Sequence, residues 1–308
     1  MISDEVQQLL DENTRFRHSG DAERLAVERL PVGVDAVTDL PYADDGHDLH
    51  RLDVYRPSHT VRKTLPVILD FHGGGLYHGD KHNTMCRDMH LAVRGDFAII
   101  NANYRLVPEV AFRNQLVDCV AALEWIADHA DEYGLDSSRV FLTGDSAATL
   151  LGIYLCALLH SPVVADRLRM NAGAGRIRIR AFAGISGMYR FTGGVHGTAM
   201  GYYYEGYFPS LKDRITFEPY LDVDRLVVDG NLPPVLMVAS AQDYLADNTL
   251  EFARILQHRH HDYEVRILPN GLTHPLDHDF SIRETGLSDN VDAMTVVDAI
   301  IAFFDRYR

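Results

Sequence analysis

From Leu65 onward, short runs that are apolar almost throughout alternate with longer stretches whose apolar residues recur at helical spacing. The runs are LPVILDF from Leu65, DFAIINANY from Asp96, RVFLTG from Arg139, IRAFAGI from Ile179, PVLMVAS from Pro234 and YEVRIL from Tyr263. A strand without a polar face must be buried on both sides, which requires a parallel sheet covered by helices. Residues 114–129, 147–159, 248–258 and 291–304 supply helical patterns between and after the runs. Upstream, Val6, Leu9, Leu10, Ala22, Leu25, Ala26 and Leu30 predict helix that ends before Pro31. Alternating stretches at 32–40 and 49–55, with a turn at 43–46, predict an antiparallel hairpin. The fold class is α/β. With no internal repeat and no long linker, residues 1–308 read as one domain.

One segment breaks the alternation. Between 187 and 226 the chain carries five aromatic residues from Tyr202 to Phe208, set among glycines and a proline. An insertion of this size at the edge of a sheet reads as a cap over a site. Lys and Arg number 29 against 44 Asp and Glu, a net charge of −15 that repels phosphate backbones and argues against nucleic acid as a partner. Cys86, Cys119 and Cys156 form neither a CxxC pair nor a disulfide framework. Their usage and the acidic N-terminal sequence predict a cytoplasmic protein. The stretch 146–165 has no formal charge, but Thr149, Gly152, His160 and Pro162 interrupt it, and no membrane role is expected.

Thr143-Gly144-Asp145-Ser146-Ala147-Ala148 directly follows an apolar run and opens that uncharged helix. A serine on a sharp strand-to-helix turn has its hydroxyl thrust out above the sheet edge, with backbone N–H groups of the helix start beneath it. Taken alone, a serine at such a junction is as readily an N-cap. Its company decides otherwise. His72-Gly73-Gly74-Gly75 follows the first parallel run, where consecutive glycines bring backbone N–H groups close to a ligand; neither a Lys-Ser/Thr pair nor GxGxxG spacing supports a nucleotide there. Downstream, Asp243 sits just past the run ending at Ser240, while Asp247 reads as the N-cap of the next helix. His274 lies on the glycine-containing loop after the last run, with His278 as the weaker alternative. His258, His260 and His261 read as a solvated helix end rather than a metal site.

These blocks resemble the hormone-sensitive-lipase-like carboxylesterases of the α/β-hydrolase fold. HGGG at 72–75, NYRLVPEVAF at 103–112, GDSAA at 144–148, and Asp243 with His274 occur in the family order, with 97 residues from Ser146 to Asp243 and 31 from there to His274. Two departures stand out: Ala148 where the family has glycine, and Asn103 where it has aspartate. The resemblance implies a mostly parallel central sheet flanked by helices, with a helical cap formed by about 1–31 and 187–226. It implies a triad of Ser146, Asp243 and His274, and oxyanion donors at Gly74, Gly75 and Ala147. Leu76, Tyr77, Met188, Tyr203, Tyr207 and Phe208 are candidate pocket walls, and core packing explains them nearly as well. The expected activity is hydrolysis of uncharged short- to medium-chain esters through an acyl-enzyme, with no metal or organic cofactor. An amide or formamide hydrolase, or a non-catalytic binding protein of the same fold, stays open as an alternative. So does a homodimer, since family members often pair through an edge strand.

Overall fold

A computed structural model of the protein describes residues 2–173, 175–191, 204–271, 275–287 and 291–308. Eight strands form one sheet: β1 (Val34–Pro41), β2 (Arg51–Pro57), β3 (Leu65–Phe71), β4 (Ala98–Ala102), β5 (Leu135–Asp145), β6 (Ile179–Ile185), β7 (Val235–Ser240) and β8 (Tyr263–Leu268). Their spatial order is β1-β2-β4-β3-β5-β6-β7-β8. The first two form the expected hairpin, and β2 is antiparallel to β4; every later pairing is parallel. The chain therefore lays β4 on one side of β3 and then reverses to place β5 on the other. Ligands of open α/β sheets bind at such a reversal, beyond the carboxyl ends of the strands. HGGG follows β3 and Ser146 follows β5, so both flank that point.

The pleat sends Val67, Leu69 and Phe71 into one apolar layer and Ile68 into the other. Helices Phe112–Asp128 and Ala148–His160 complete the first layer, and helices Met85–Gly95 and Val291–Asp305 complete the second. The uncharged stretch is the buried helix Ala148–His160, followed after a bend of 114° by Pro162–Leu168. Among the described residues no single helix is long and apolar enough to cross a membrane.

Helix Met85–Gly95 has no counterpart among the helical patterns read from the sequence. It buries Arg87 and Asp88, and those charges mask its inward face. The described part of 187–226 is also more regular than the sequence suggests. Helix Leu211–Leu221 is capped by Ser210, whose Oγ accepts the Asp213 N–H at 3.0 Å, and Val223–Gly230 is capped by Asp222. The N-terminal helix spans Asp4–Leu25, capped by Ser3.

Candidate active site

Strand β5 ends at Asp145 and the next helix begins at Ala148, so the chain turns within Ser146 and Ala147. Ser146 adopts φ +50°, a left-handed conformation that costs a non-glycine residue about 1–3 kcal/mol. Its backbone is held in place on both sides. The N–H donates to the Ile185 carbonyl at 2.8 Å, and its carbonyl accepts the Met188 N–H at 3.0 Å and the Thr149 hydroxyl at 2.7 Å. A methyl on Gly144 would lie 3.2 Å from the Ala148 Cβ, so Ala148 fills space that Gly144 leaves open. Glycine at 144 is thus what leaves room for the alanine at 148.

The Ser146 Oγ lies 2.9 Å from Nε2 of His278, whose Nδ1 lies 2.8 Å from Oδ1 of Asp243. A carboxylate only accepts, so Nδ1 donates. Sequence reasoning places this imidazole at His274, which lies outside the described residues; the structure brings His278 to the serine instead. The placement of His278 has a physical reason. Strand β8 is the edge strand, and the chain must cross back over β7 and β6 towards β5, about 14 Å at the usual strand spacing. The returning segment is fastened on the way. The Leu276 N–H donates to Oε1 of Gln242 at 3.0 Å, its carbonyl accepts the Ser240 hydroxyl, and the Asp279 N–H donates to the Ser186 Oγ at 3.2 Å. Leu276 and Phe280 are buried on either side of His278. That apolar bracket is the sequence signal that favours position 278.

Asp243 lies on the loop after β7, beside this imidazole. Burial raises its carboxyl, but the hydrogen bond and charge of His278, the Ser186 hydroxyl and the Leu245 N–H together hold it below its ordinary value. Asp247 does not cap the following helix: Ala246–His258 starts after Leu245, whose N–H goes to Asp243 at 2.8 Å, and Asp247 is exposed in the first turn.

Beyond β3, the buried His72 stacks on Tyr104 with ring centroids 4.6 Å apart and donates from Nδ1 to the Gly73 carbonyl at 2.8 Å. Burial pushes His72 down, which keeps it a neutral structural ring. The Gly73 N–H donates to Oδ2 of Asp145 at 3.1 Å and so ties this loop to the serine turn. Gly74, at φ +103°, has no room for a side chain, because a Cβ would lie 2.1 Å from the His78 carbonyl oxygen. Among the described residues, the N–H groups of Gly74, Gly75 and Ala147 donate to no backbone carbonyl. The 103–112 segment supports the loop from behind. Asn103 accepts the Lys81 N–H at 2.6 Å and donates to Asp80 at 2.8 Å, and Gln115 donates to the Leu76 carbonyl at 2.8 Å. An aspartate at 103 would set two carboxylates together there, so the amide suits this neighbourhood.

A cavity of about 410 Å³ opens beside these groups. Gly73, Gly74, Asp145 and His278 face it, with Asp21, Arg24, His78 and Asn83 on one wall and Gln242, Tyr244, Asp277 and Arg283 on the other. Leu76, Tyr77, Met188, Tyr207 and Phe208 are not among its walls; they are buried in the larger core, and Tyr203 lies outside the described residues. Tyr207 nonetheless touches the loop, its hydroxyl donating to the Gly75 carbonyl at 2.9 Å. The lining is polar rather than aromatic.

Serine, then acid, then histidine, each on a loop beyond the carboxyl end of a parallel strand, is the chain order of the α/β-hydrolases. The comparisons with known proteins agree. The BD-FAE family model matches residues 52–192. Carboxylesterase NlhH of Mycobacterium tuberculosis is 28% identical over 238 residues, covering 75% of this chain and 70% of that protein. Ethyl acetate hydrolase of Pseudomonas putida is 27% identical over 254 residues, covering 78% of this chain and 75% of that one. Among solved structures, an inhibited esterase B from Lactobacillus rhamnosis matches with a TM-score of 0.88 at 21% identity, covering 99% of this chain and 97% of that one. These matches show the α/β-hydrolase fold, and the curated relatives among them are named as carboxylic ester hydrolases.

Proposed function

We propose that the protein hydrolyses short- to medium-chain carboxylic esters through an acyl-enzyme on Ser146. The observation that carries this reading is the hydrogen-bonded line from the Ser146 Oγ through His278 to Asp243. In the first step, Oγ bonds to the ester carbonyl carbon while its proton passes to Nε2 of His278. The carbonyl electron pair moves onto oxygen, where the N–H groups of Gly74, Gly75 and Ala147 receive it. Collapse of that intermediate breaks the bond to the alcohol, which takes the proton from Nε2. Water then repeats the sequence on the acyl-enzyme and releases the acid. Asp243 fixes the tautomer that leaves Nε2 facing the serine.

The 410 Å³ cavity suits a small ester, in keeping with a relative named ethyl acetate hydrolase. The N-terminal helix, which brings Asp21 and Arg24 to the cavity, and the 187–226 insertion, which brings Tyr207 to the glycine loop, form the cap in this reading. Three buried free cysteines suit a reducing, cytoplasmic setting. Two copies would pair through an edge strand such as β8, which sedimentation velocity would reveal as a dimer.

The test is a series of p-nitrophenyl esters from acetyl to dodecanoyl, with Ser146→Ala as control. Hydrolysis is expected to be fastest with the shorter acyl groups and to vanish in the control, and a fluorophosphonate should label Ser146. Equal rates in both proteins would reject Ser146 as nucleophile.

A further inference from the structure

His278 meets three side chains rather than two. Its Nδ1 faces Asp243, while its Nε2 lies 2.9 Å from the Ser146 Oγ and 3.1 Å from Oδ2 of its own neighbour, Asp279. A general base must present Nε2 without a proton, because that nitrogen takes the serine's. A carboxylate at ion-pairing distance from the same nitrogen favours the opposite state. We propose that Asp279 is a positioning residue that retains a proton on Nε2 of His278 and so keeps Ser146 unactivated near neutral pH. The inference rests on the acyl-transfer reading of the site.

The placement of Asp279 is built into the segment. Its backbone is left-handed at φ +57°, its N–H is held by Ser186, and its carbonyl accepts the N–H groups of Ile282 at 2.9 Å and Arg283 at 3.0 Å. Its side chain is 20% exposed, and Oδ1 is buried with no hydrogen-bond partner among the described residues. Charged and titratable groups face the imidazole from several elements. Asp243 and Tyr244 face the imidazole from the loop after β7, with the Tyr244 ring centred 4.3 Å away. From the serine turn comes Asp145, whose carboxyl is pushed up by burial and by Asp279 itself. Asp277 and Arg283 flank it on its own segment, and Asp21, Arg24 and His78 stand across the cavity. Burial alone would lower His278, but the charge of Asp279 and hydrogen bonds to Asp243 and Asp279 outweigh it, so the ring is pushed up to about 10. As pH rises, Nε2 releases its proton to solvent hydroxide, forming water. The ring becomes neutral, Nδ1 keeps its hydrogen, and Nε2 can accept the Ser146 proton.

The experiment is the pH profile of kcat/KM on p-nitrophenyl acetate, wild type against Asp279→Asn, with Ser146→Ala rates subtracted. Asparagine keeps the shape and tolerates the left-handed backbone. The wild-type acid limb should have its midpoint at least about one pH unit above the ordinary histidine value, and Asp279→Asn should lower that midpoint by about one to two units. At pH 7 the variant should then be about tenfold or more faster than wild type. An unmoved midpoint in the variant overturns the proposal. A second arm, NMR titration of isotope-labelled His278 in the wild-type protein, needs no variant to fold; titration at or below the ordinary value overturns the proposal independently. Fluorophosphonate labelling at high pH separates the two readings. If Ser146 never reacts, acyl transfer falls, while the same NMR titration run on wild type and Asp279→Asn still decides whether Asp279 holds the proton.

Discussion

His278 hangs between Ser146 and Asp243 from a segment that Gln242, Ser240 and Ser186 fasten in place. Replacing it by alanine should lower kcat by about 10⁴-fold or more, whereas His274→Ala should keep most of the wild-type rate; steady-state kinetics on one ester distinguish the two. Asp243→Asn should also cost about 10⁴-fold, because the amide selects the wrong tautomer. The same imidazole links pH to stability. Folding raises its proton affinity, so the native state binds more protons than the unfolded chain between the ordinary histidine value and about 10. The stabilisation is complete below about 6.5 and is lost as pH rises through about 10. Thermal melts should therefore shift downward from pH 7 to pH 10, and less steeply in Asp279→Asn.

The strand-to-helix turn and the glycine loop work as a pair, joined by the Gly73 N–H to Asp145 hydrogen bond. Gly74→Ala would push a methyl against the His78 carbonyl from a left-handed backbone, and should lower kcat by about 10²-fold or more with KM far less affected. Ala148→Gly, by contrast, should cost about 1 kcal/mol of stability in a denaturant melt and leave kcat nearly unchanged. This pair was the most legible part of the chain, because buried parallel strands, a small-residue turn and consecutive glycines all leave local marks. The six apolar runs became β3 to β8 for the same reason. Helix Met85–Gly95 left no such mark, since its buried face carries Arg87 and Asp88. Helix Leu211–Leu221 exposes Leu211 and Ile215 and contains Pro219, so its pattern does not announce a helix. The loop histidine was the hardest to place. Which of two imidazoles reaches the serine depends on contacts from Ser186, Ser240 and Gln242, all far away in sequence.

Across the molecule, the sheet is locked to helix Met85–Gly95 by a buried charge cluster. Arg87 lies 2.5 Å from Asp70, 3.2 Å from Asp88 and 3.8 Å from Asp145. Arg87→Leu would leave three buried acids without a counter-ion and should destabilise the fold by about 3–5 kcal/mol, measured by urea unfolding. Because Asp145 belongs to the cluster, the same change should also disturb the glycine loop. Two segments far apart in sequence meet over the cavity as well: Asp21 and Arg24 from the first helix line it together with Asp277 and Arg283, and the Arg29 N–H donates to the Gly286 carbonyl at 2.9 Å. A ribosome must therefore release every residue between these two segments before the cleft exists, so the nascent chain stays chemically silent until the codons for this late loop have been read and the loop has cleared the exit tunnel.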